Sequence, residues 1–365
     1  MPSARRAAVI SAFCCVTLLL FFSPFSVRAE RVELVAGGDQ PVAALPAVKS
    51  KLQGPFGLDF DRAGQMFIVE ISGHRVLKID SAGILTKIGG TGEKGIGGDG
   101  ASALQAEFNG MHSLAIAPNG DIYVADTWNN CVRKIDPRTG VITRVAGTGK
   151  NGFAGDGGPA TAAECTGIYC VALDRAGKQL YLADLENRRV RKVDLGTGVI
   201  TTVAGTGERA LPQEGAEAKT APLWDPRAVA VDSKGTLYIL ERSGHALRTV
   251  AADGNIRTVA GTGQAGFEGD GGPALQAKLR GPKHILCDQY DDVLIADTEN
   301  HVIRKYQPQT GMIVRVAGSG KAGTEGVGGP PAELQLKQPH GVQVDAAGTV
   351  YIVDSGNDRI LKLAK

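Results

Sequence analysis

The sequence has almost no excess of charge of either sign, and it lacks the short motifs of several common enzyme families. It contains 40 Lys and Arg residues against 38 Asp and Glu residues, a formal net charge of +2. This balance gives no reason to expect a nucleic-acid partner. No GxSxG turn, HExxH motif or zinc-spaced cysteine cluster is present. The signatures of α/β-hydrolases, HExxH metalloproteases and cysteine-based zinc sites are therefore missing.

Apolar runs long enough to span a membrane are missing after the first 29 residues. Arg5 and Arg6 form a basic start, an uncharged apolar stretch covers 7–27, and Val27-Arg28-Ala29 offers small residues for cleavage. We expect residues 1–29 to be a signal peptide and the mature protein to be secreted or periplasmic, with no membrane span. An uncleaved membrane anchor is the alternative. Without its leader the chain keeps 37 basic and 38 acidic residues, a net charge of −1.

Cysteines are few, and two of the six belong to the leader. In an exported protein the other four would meet an oxidising compartment, where three pairings are possible. Cys165 and Cys170 are favoured as a pair by their closeness in sequence, although Cys170 also suits a small buried strand position. The four residues in question are Cys131, Cys165, Cys170 and Cys287.

A repeated segment is the most informative feature that is present. VAGTGKNGFAGDGGPA at 145–160 returns as VAGTGQAGFEGDGGPA at 259–274, with looser copies elsewhere. The glycine of VAG or its counterpart recurs at intervals of 53, 57, 58, 56 and 57 residues. A second signature, such as YVADTWNNCVRKI from Tyr123, keeps the same phase in each unit. Six near-equal units therefore fill the chain after the leader.

Each unit predicts a four-stranded antiparallel meander. In the third unit, VALD, LYLAD, RVRKVD and VITTVAG are short β-branched runs separated by turn residues. So small a sheet cannot bury both faces alone, whereas several packed around an axis can. We therefore predict an all-β, six-bladed β-propeller over residues 30–365. The segment RVELVAG at 31–37 matches a fourth strand, and the last unit stops after its third, so the N-terminal strand should complete the last blade.

Several recurring charged residues have structural explanations. One acid follows the second strand of every unit, and a group present six times is more readily a hydrogen-bond acceptor or ion-pair partner than one active site. The third-strand Arg and Lys residues are interpreted as solvated or carboxylate-paired. Asp99, Asp156 and Asp270 are interpreted as turn-stabilising, because one carboxylate per loop is too few ligands for calcium. The acids are Glu70, Asp126, Asp184, Glu241, Asp297 and Asp354.

These in-phase motifs resemble the NHL-repeat family of β-propellers, in the VAGTGxxGxxGDGGPA style of secreted bacterial members and of teneurin-like proteins. The resemblance covers 31–365, although the copies at 37–50 and 205–220 lack the GDGG core. It implies the propeller fold and a tendency toward ligand or protein binding. It does not imply one reaction, because propellers host binding modules and enzymes alike.

Function should lie where equivalent positions differ, and the position just before each first strand differs most. The first strand of a propeller blade lines the central channel, so this position should surround the channel mouth. Aromatic, cationic and imidazole side chains there could bind an anionic or carbonyl-bearing ligand, with no metal. His284 should face another environment, because neighbouring strand residues point to opposite sides. Aligning PFGL, MHSL, IYCV, PRAV, PKHI and PHGV gives Phe56, His112, Tyr169, Arg227, Lys283 and His340.

Two functions follow from this position. The first is a binding module for a protein partner or a small ligand, without catalysis. Trp128 and Trp224 could anchor such a partner, or they could fill gaps in irregular repeats. The alternative is a metal-assisted lyase or hydrolase, because His112 and His340 are similar to zinc-ligating positions of the peptidyl-hydroxyglycine amidating lyase. That resemblance implies a divalent metal such as zinc, a phenolic base at Tyr169 and an anionic substrate oriented by Arg227. The family uses three histidines, and Arg227 occupies the blade between His112 and His340.

Overall fold

A computed structural model of the protein describes Met1 and residues 30–364. The expected signal peptide therefore lies outside the described residues, apart from Met1. Strands β1 to β26 follow one another along the chain, and the helices are eight one-turn 3-10 segments within the described part. None of the helices described is long and apolar enough to cross a membrane. The 3-10 segments are Ala47–Lys49, Ala103–Gln105, Thr127–Asn129, Ala160–Ala162, Ala274–Gln276, Thr298–Asn300, Pro331–Glu333 and Ser355–Asn357.

The strands form six antiparallel sheets, one for each predicted blade. The chain begins with β1 (Arg31–Ala36). Blade 1 contains β2 (Leu45–Pro46), β3 (Pro55–Phe60), β4 (Met66–Glu70), β5 (Val76–Ile79) and β6 (Ile84–Gly89). Blade 2 contains β7 (Ser113–Ile116), β8 (Ile122–Asp126), β9 (Cys131–Ile135) and β10 (Ile142–Ala146). Blade 3 contains β11 (Ile168–Leu173), β12 (Gln179–Asp184), β13 (Arg189–Asp194) and β14 (Ile200–Ala204).

The remaining blades follow the same order. Blade 4 contains β15 (Pro226–Val231), β16 (Leu237–Glu241), β17 (Ala246–Val250) and β18 (Ile256–Ala260). Blade 5 contains β19 (Gly272–Pro273), β20 (His284–Cys287), β21 (Val293–Asp297), β22 (Val302–Gln307) and β23 (Met312–Ala317). Blade 6 contains β24 (Gly341–Val344), β25 (Val350–Asp354) and β26 (Arg359–Ala364). The two-residue strands β2 and β19 pair with the outer strands β6 and β23.

The blades close into a ring, as predicted. The inner strands contact one another in sequence, from β3 through β7, β11, β15, β20 and β24 and back to β3. β1 pairs antiparallel with β26, and the sheet order β1-β26-β25-β24 makes it the fourth strand of blade 6. Val32 packs in the core of blades 5 and 6, whereas Ala36 packs in the core that joins blades 6 and 1. The predicted six-bladed propeller and its closure by the N-terminal strand are confirmed.

The acids after the second strands bind within their own blades, as predicted. Asp297 is fully buried, accepts a hydrogen bond from the Arg280 backbone N–H at 2.8 Å, and lies 3.4 Å from Nη1 of Arg304. The same acceptor role recurs in every blade, where the donor is the backbone N–H three residues before the predicted mouth residue. The donors are Gln53, Asn109, Thr166, Trp224, Arg280 and Lys337.

Buried arginines attach the GDGG loops to the third strands. Arg304 is fully buried, bonds Asp270 at 2.8 Å and donates to the carbonyls of Glu268 and Lys278. Arg133 and Arg191 bind Asp99 and Asp156 in the same way. The interpretation of these aspartates as turn-stabilising was wrong, because their carboxylates reach a strand of the same blade instead of their own turn. For the arginines, the predicted alternative of carboxylate pairing is confirmed.

Blades 1 and 6 compensate the buried acid with a different arginine. Arg75 pairs with Glu70 and Arg359 pairs with Asp354, each at 2.7 Å and five residues after the acid. Leu77 and Leu361 then occupy the position of the buried arginine in the other blades. The propeller therefore has two alternative ways to compensate the same buried carboxylate.

The cysteines do not form the pair favoured by their spacing. Cys165 lies beside the Arg191 guanidinium, 3.3 Å from Nη1, whereas Cys170 lies on the inner strand β11 near Ser113 and Val229. Cys165 lies in the loop before β11 and Cys170 lies within that strand, so the two thiols have different neighbours. All four cysteines of residues 30–364 are free, and three of them are buried.

Candidate functional site

Five of the six predicted mouth residues contact one another in blade order. The His340 and Phe56 rings stack with centroids 4.1 Å apart, and Phe56 meets His112 edge-on at 5.0 Å. His112 in turn meets Tyr169 at 4.5 Å, and the Arg227 guanidinium lies 4.5 Å from the Tyr169 ring centroid. These contacts create one continuous aromatic and cationic surface where the inner strands begin.

Lys283, the sixth predicted residue, interacts with a neighbouring acid. Its Nζ lies 3.3 Å from Oε1 of Glu299, and its side chain is half-buried. Burial lowers the pKa of Lys283; Glu299 opposes this shift, and Arg227 and Arg242 add to it. The repulsion from Arg227 places Lys283 in the electrostatic environment of the mouth, although its own partner is Glu299.

The buried acids explain why the mouth residues take up equivalent positions. In blade 4, Glu241 accepts the Trp224 backbone N–H at 2.7 Å and pairs with Arg248 at 2.6 Å. The loop that leads to Arg227 is therefore fixed to the end of the second strand. Because the same bond recurs in each blade, the side chains three residues later start from equivalent backbone positions. The identity of each side chain can then vary without changing the backbone position from which it starts.

Arg227 is the most unusual group in this site because it is a buried cation with no counterion among the residues that the structure describes. It is 4% exposed, and Nη1 donates a long hydrogen bond of 3.4 Å to the Tyr169 carbonyl. Its Nε has no partner, and no ion pair involves Arg227 among residues 30–364. The nearby Asp225 binds Arg242 at 2.9 Å instead. Burial, followed by repulsion from Arg242, lowers the pKa of Arg227 to about 10, so it remains charged at neutral pH.

The two mouth histidines are neutral imidazoles. Nδ1 of His112 bonds the Gly110 carbonyl at 2.7 Å, and Nδ1 of His340 bonds the Gln338 carbonyl at 2.8 Å. A carbonyl only accepts, so Nδ1 carries a proton, and the lowered pKa values favour the neutral form in which Nε2 keeps its lone pair. Burial, followed by repulsion from Lys283 and Arg227, lowers the pKa of His340 to about 3. The pKa of His112 is lowered well below its usual value, chiefly by burial and then by Arg227.

Neither mouth histidine should titrate near neutral pH. We expect the imidazole NMR resonances of His340 to keep their neutral positions from pH 8 to pH 5, although a free histidine titrates near about 6.5. Below about pH 6.5 the unfolded chain binds protons at these two histidines, whereas the folded chain does not. The free energy of unfolding should therefore decrease as the pH is lowered from about 6.5 toward the pKa of about 3 of folded His340. A His340→Gln variant assigns the signals. A midpoint above pH 5 would contradict the neutral-imidazole assignment.

The zinc that the amidating-lyase resemblance implies does not fit this site. The Phe56 ring lies between His112 and His340, and the blade that would supply a third ligand presents the uncompensated cation Arg227. A cation next to the metal would oppose its binding. Within the described residues, no three His, Cys, Asp or Glu side chains are grouped so that they could hold a metal ion.

Trp128 joins the rim of the mouth. Its side chain is 49% exposed, and its ring lies 5.7 Å from His112 in an edge-on arrangement. It packs over Gly110, where any side chain would overlap the indole. The sequence offered Trp128 as a partner anchor without placing it beside His112. Its turn follows the second strand of a meander and so lies at the end where the first strand begins, which is the signal that could have located it.

Trp224 and His284 lie in separate surroundings. The Trp224 ring lies 5.1 Å from the Arg209 guanidinium, in the irregular connection into blade 4. His284 faces a cavity of about 400 Å³ that is also lined by Asp59 and Gln343. The prediction that His284 and Lys283 face different environments is therefore confirmed.

Comparison with known proteins agrees with the fold that this geometry defines, a six-bladed β-propeller. The family model of the teneurin NHL domain matches residues 130–266, and the NHL repeat model matches residues 108–135. The predicted resemblance to the NHL-repeat β-propellers is confirmed.

Related sequences are larger proteins. The chain is 28% identical over 289 residues to Protein SUPPRESSOR OF QUENCHING 1, chloroplastic, of Arabidopsis thaliana, covering 76% of this chain and 27% of that protein. It is 27% identical over 346 residues to NHL repeat-containing protein 2 of Gallus gallus, covering 85% of this chain and 46% of that protein. The chain thus spans between about a quarter and a half of the length of these relatives.

Solved structures share the fold at low sequence identity. An auxiliary nutrient binding protein from Bacteroides thetaiotaomicron superposes with a TM-score of 0.68 at 16% identity, covering 92% of this chain and 76% of that chain. Virginiamycin B lyase from Staphylococcus aureus superposes with a TM-score of 0.51 at 16% identity, covering 86% of this chain and 95% of that chain. At this identity both comparisons support the fold alone.

Proposed function

We propose that the protein is an exported ligand-binding propeller that takes a small anionic molecule at the channel mouth. The observation that carries the proposal is Arg227, a buried guanidinium with one long hydrogen bond, an unpaired Nε and no carboxylate partner in the described chain. Keeping such a charge away from water is costly unless a counterion binds it. A carboxylate or phosphate group matches the guanidinium in charge and in its forked geometry.

The walls of the mouth suit an anion attached to an apolar or aromatic body. Phe56 and Tyr169 supply rings next to the cationic side, and Trp128 extends the apolar rim toward solvent. Small-molecule sites in proteins typically combine such walls with a few polar groups that fix orientation. The fold is also shared with a protein described as a nutrient binding protein. Export rests on the sequence of residues 1–29, whose basic start and apolar stretch are typical of a signal peptide.

The test compares benzoate binding by the wild-type protein and by Arg227→Met. A charged hydrogen bond of this kind contributes about 1.5 to 3 kcal/mol, so we expect benzoate affinity to fall by roughly 10- to 100-fold. Ligand-observed NMR or calorimetry measures the change. Benzyl alcohol, which has the ring without the charge, should bind weakly and equally to both proteins. Arg175→Met, which removes a cation lining the separate cavity beside His284, is the matched control and should leave benzoate affinity unchanged.

Stability separates this role from a structural one. Replacing an uncompensated buried cation by an apolar side chain of similar length should leave the melting temperature unchanged or raise it. A structural Arg227 would instead give a less stable variant. Unchanged benzoate affinity in Arg227→Met would refute the proposal. So would the absence of benzoate, acetate and phosphate binding to the wild-type protein at tens of millimolar.

A second candidate function is a metal-free lyase or hydrolase at the same mouth. The observation in its favour is the pair of neutral imidazoles whose Nε2 atoms can accept a proton, with Tyr169 next to His112. Virginiamycin B lyase shares the fold, and a histidine-to-alanine variant of that enzyme is described as catalytically inactive. Turnover of a lactone or ester that His112→Ala or His340→Ala abolishes at unchanged melting temperature would favour catalysis over binding alone.

A further inference from the structure

A cavity of about 420 Å³ lies between blades 4 and 5 on the side of the propeller that carries the mouth. Its lining includes Arg242, His245, Arg280, Lys283 and Glu299. Lys283 also belongs to the ring of predicted mouth residues, so the cavity adjoins the mouth directly. Arg242, His245 and Arg280 were not predicted as site residues from the sequence.

The cavity and the adjoining mouth contain more positive than negative charge. Arg242 pairs with Asp225 at 2.9 Å, and Lys283 pairs with Glu299 at 3.3 Å. Arg280 is exposed and has no ion pair within residues 30–364, and Arg227 has none either. Four cations therefore share two carboxylates. The cations are also close enough to act on one another, because Arg242 contributes to the lowered pKa of Arg227, and both contribute to that of Lys283.

The loop that carries Arg280 and Lys283 is fixed in place. The Arg280 backbone N–H donates to Asp297 at 2.8 Å, and the Gly281 backbone N–H donates to Nδ1 of His245 at 3.2 Å. Because Nδ1 of His245 accepts here, its proton is on Nε2. His245 thus connects a turn of blade 4 to the loop entering blade 5. The cavity is preformed, which reduces the entropy that a ligand must lose on binding.

We infer that this cavity binds a second anionic group of the same ligand, so that the ligand is a dicarboxylate with an apolar or aromatic body. The inference rests on the proposed function, because it assigns the first carboxylate to Arg227. The second carboxylate would neutralise the charge of Arg280 and the excess positive charge around Lys283. The aromatic wall of Phe56 and Tyr169 would contact the body between the two anionic groups.

The test measures the affinity of benzoate and of its two carboxylated analogues, isophthalate and terephthalate. We expect at least one of the two dicarboxylates to bind the wild-type protein at least 10-fold more tightly than benzoate. In Arg280→Gln the ratio of dicarboxylate to benzoate affinity should fall toward one. Lys219→Gln, which removes an exposed cation outside the cavity, should leave the ratio unchanged. Titrations in low and moderate salt show whether the gain is electrostatic.

The outcomes separate the two proposals. Benzoate binding that depends on Arg227, without any gain for a dicarboxylate, would refute the second subsite and leave the proposed function intact. A gain that survives Arg280→Gln would also refute the second subsite. Benzoate binding that is indifferent to Arg227→Met would overturn the proposed function and this inference together.

Discussion

A protein that begins at residue 38 should lose the cooperative unfolding of a protein that begins at residue 30. The truncation removes β1, which pairs with β26 along its whole length and buries Val32 and Ala36 in two different cores. Full burial of Val32 alone contributes about 1.5 to 3 kcal/mol. The larger effect is topological, because β1 is the covalent link between the first blade and the last. We expect a broad transition, or none, in thermal unfolding monitored by circular dichroism.

Adding the missing strand in trans provides the control for this truncation. A synthetic peptide covering residues 30–37 should restore part of the transition, because the edge of β26 is left unpaired and can accept a strand. Residues 328–329 form hydrogen bonds with the backbone of Val32 on the edge of β1 that faces away from β26, and they would bind the peptide in the same way. A truncated protein that melts at the same temperature and with the same steepness would show that closure by β1 does not stabilise the ring.

The fold was predictable because every unit repeats two signals in one phase. The VAG segment identifies the fourth strand and the acid identifies the end of the second, so six copies specify strand order, blade number and closure at once. RVELVAG at 31–37 could be assigned to blade 6 only because its sequence matches a fourth strand that the last unit lacks. Local pattern and ring closure thus pointed to the same arrangement.

The candidate site was predictable in position but not in chemistry. Aligning first strands placed Arg227 at the mouth, but the alignment could not show that Asp225 binds Arg242 and that Arg227 has no counterion in the described part of the chain. Which carboxylate an arginine binds depends on the direction and burial of its side chain, and the spacing of the repeats does not determine either. The pairing of Asp270 with Arg304 was missed for a related reason. The two residues are 34 positions apart and meet only after the loop folds back onto the third strand.

Replacing Arg304 by methionine should lower the free energy of unfolding by about 3 to 5 kcal/mol, the usual effect of removing one member of a buried ion pair. The variant leaves Asp297 buried without its cation and frees the carbonyls of Glu268 and Lys278 that the guanidinium binds. Urea unfolding measures the change. Lys192→Met alters a half-buried cation that has no ion pair among the described residues, and it should stay within about 0.5 kcal/mol of the wild-type protein.

The arrangement of blade 6 supplies a stricter test of why Arg304 matters. There Leu361 stands at the position of Arg304, and Arg359 binds the blade's acid from two residues earlier. Arg304→Leu combined with Val302→Arg reproduces this order in blade 5, so the double variant should be more stable than Arg304→Leu alone. Arg304→Leu could instead destabilise the protein through altered packing and not through the unpaired Asp297 carboxylate. In that case a second substitution at the fully buried Val302 would lower the free energy of unfolding further. If the double variant regains stability, the main contribution of the buried arginine is to neutralise the charge of Asp297.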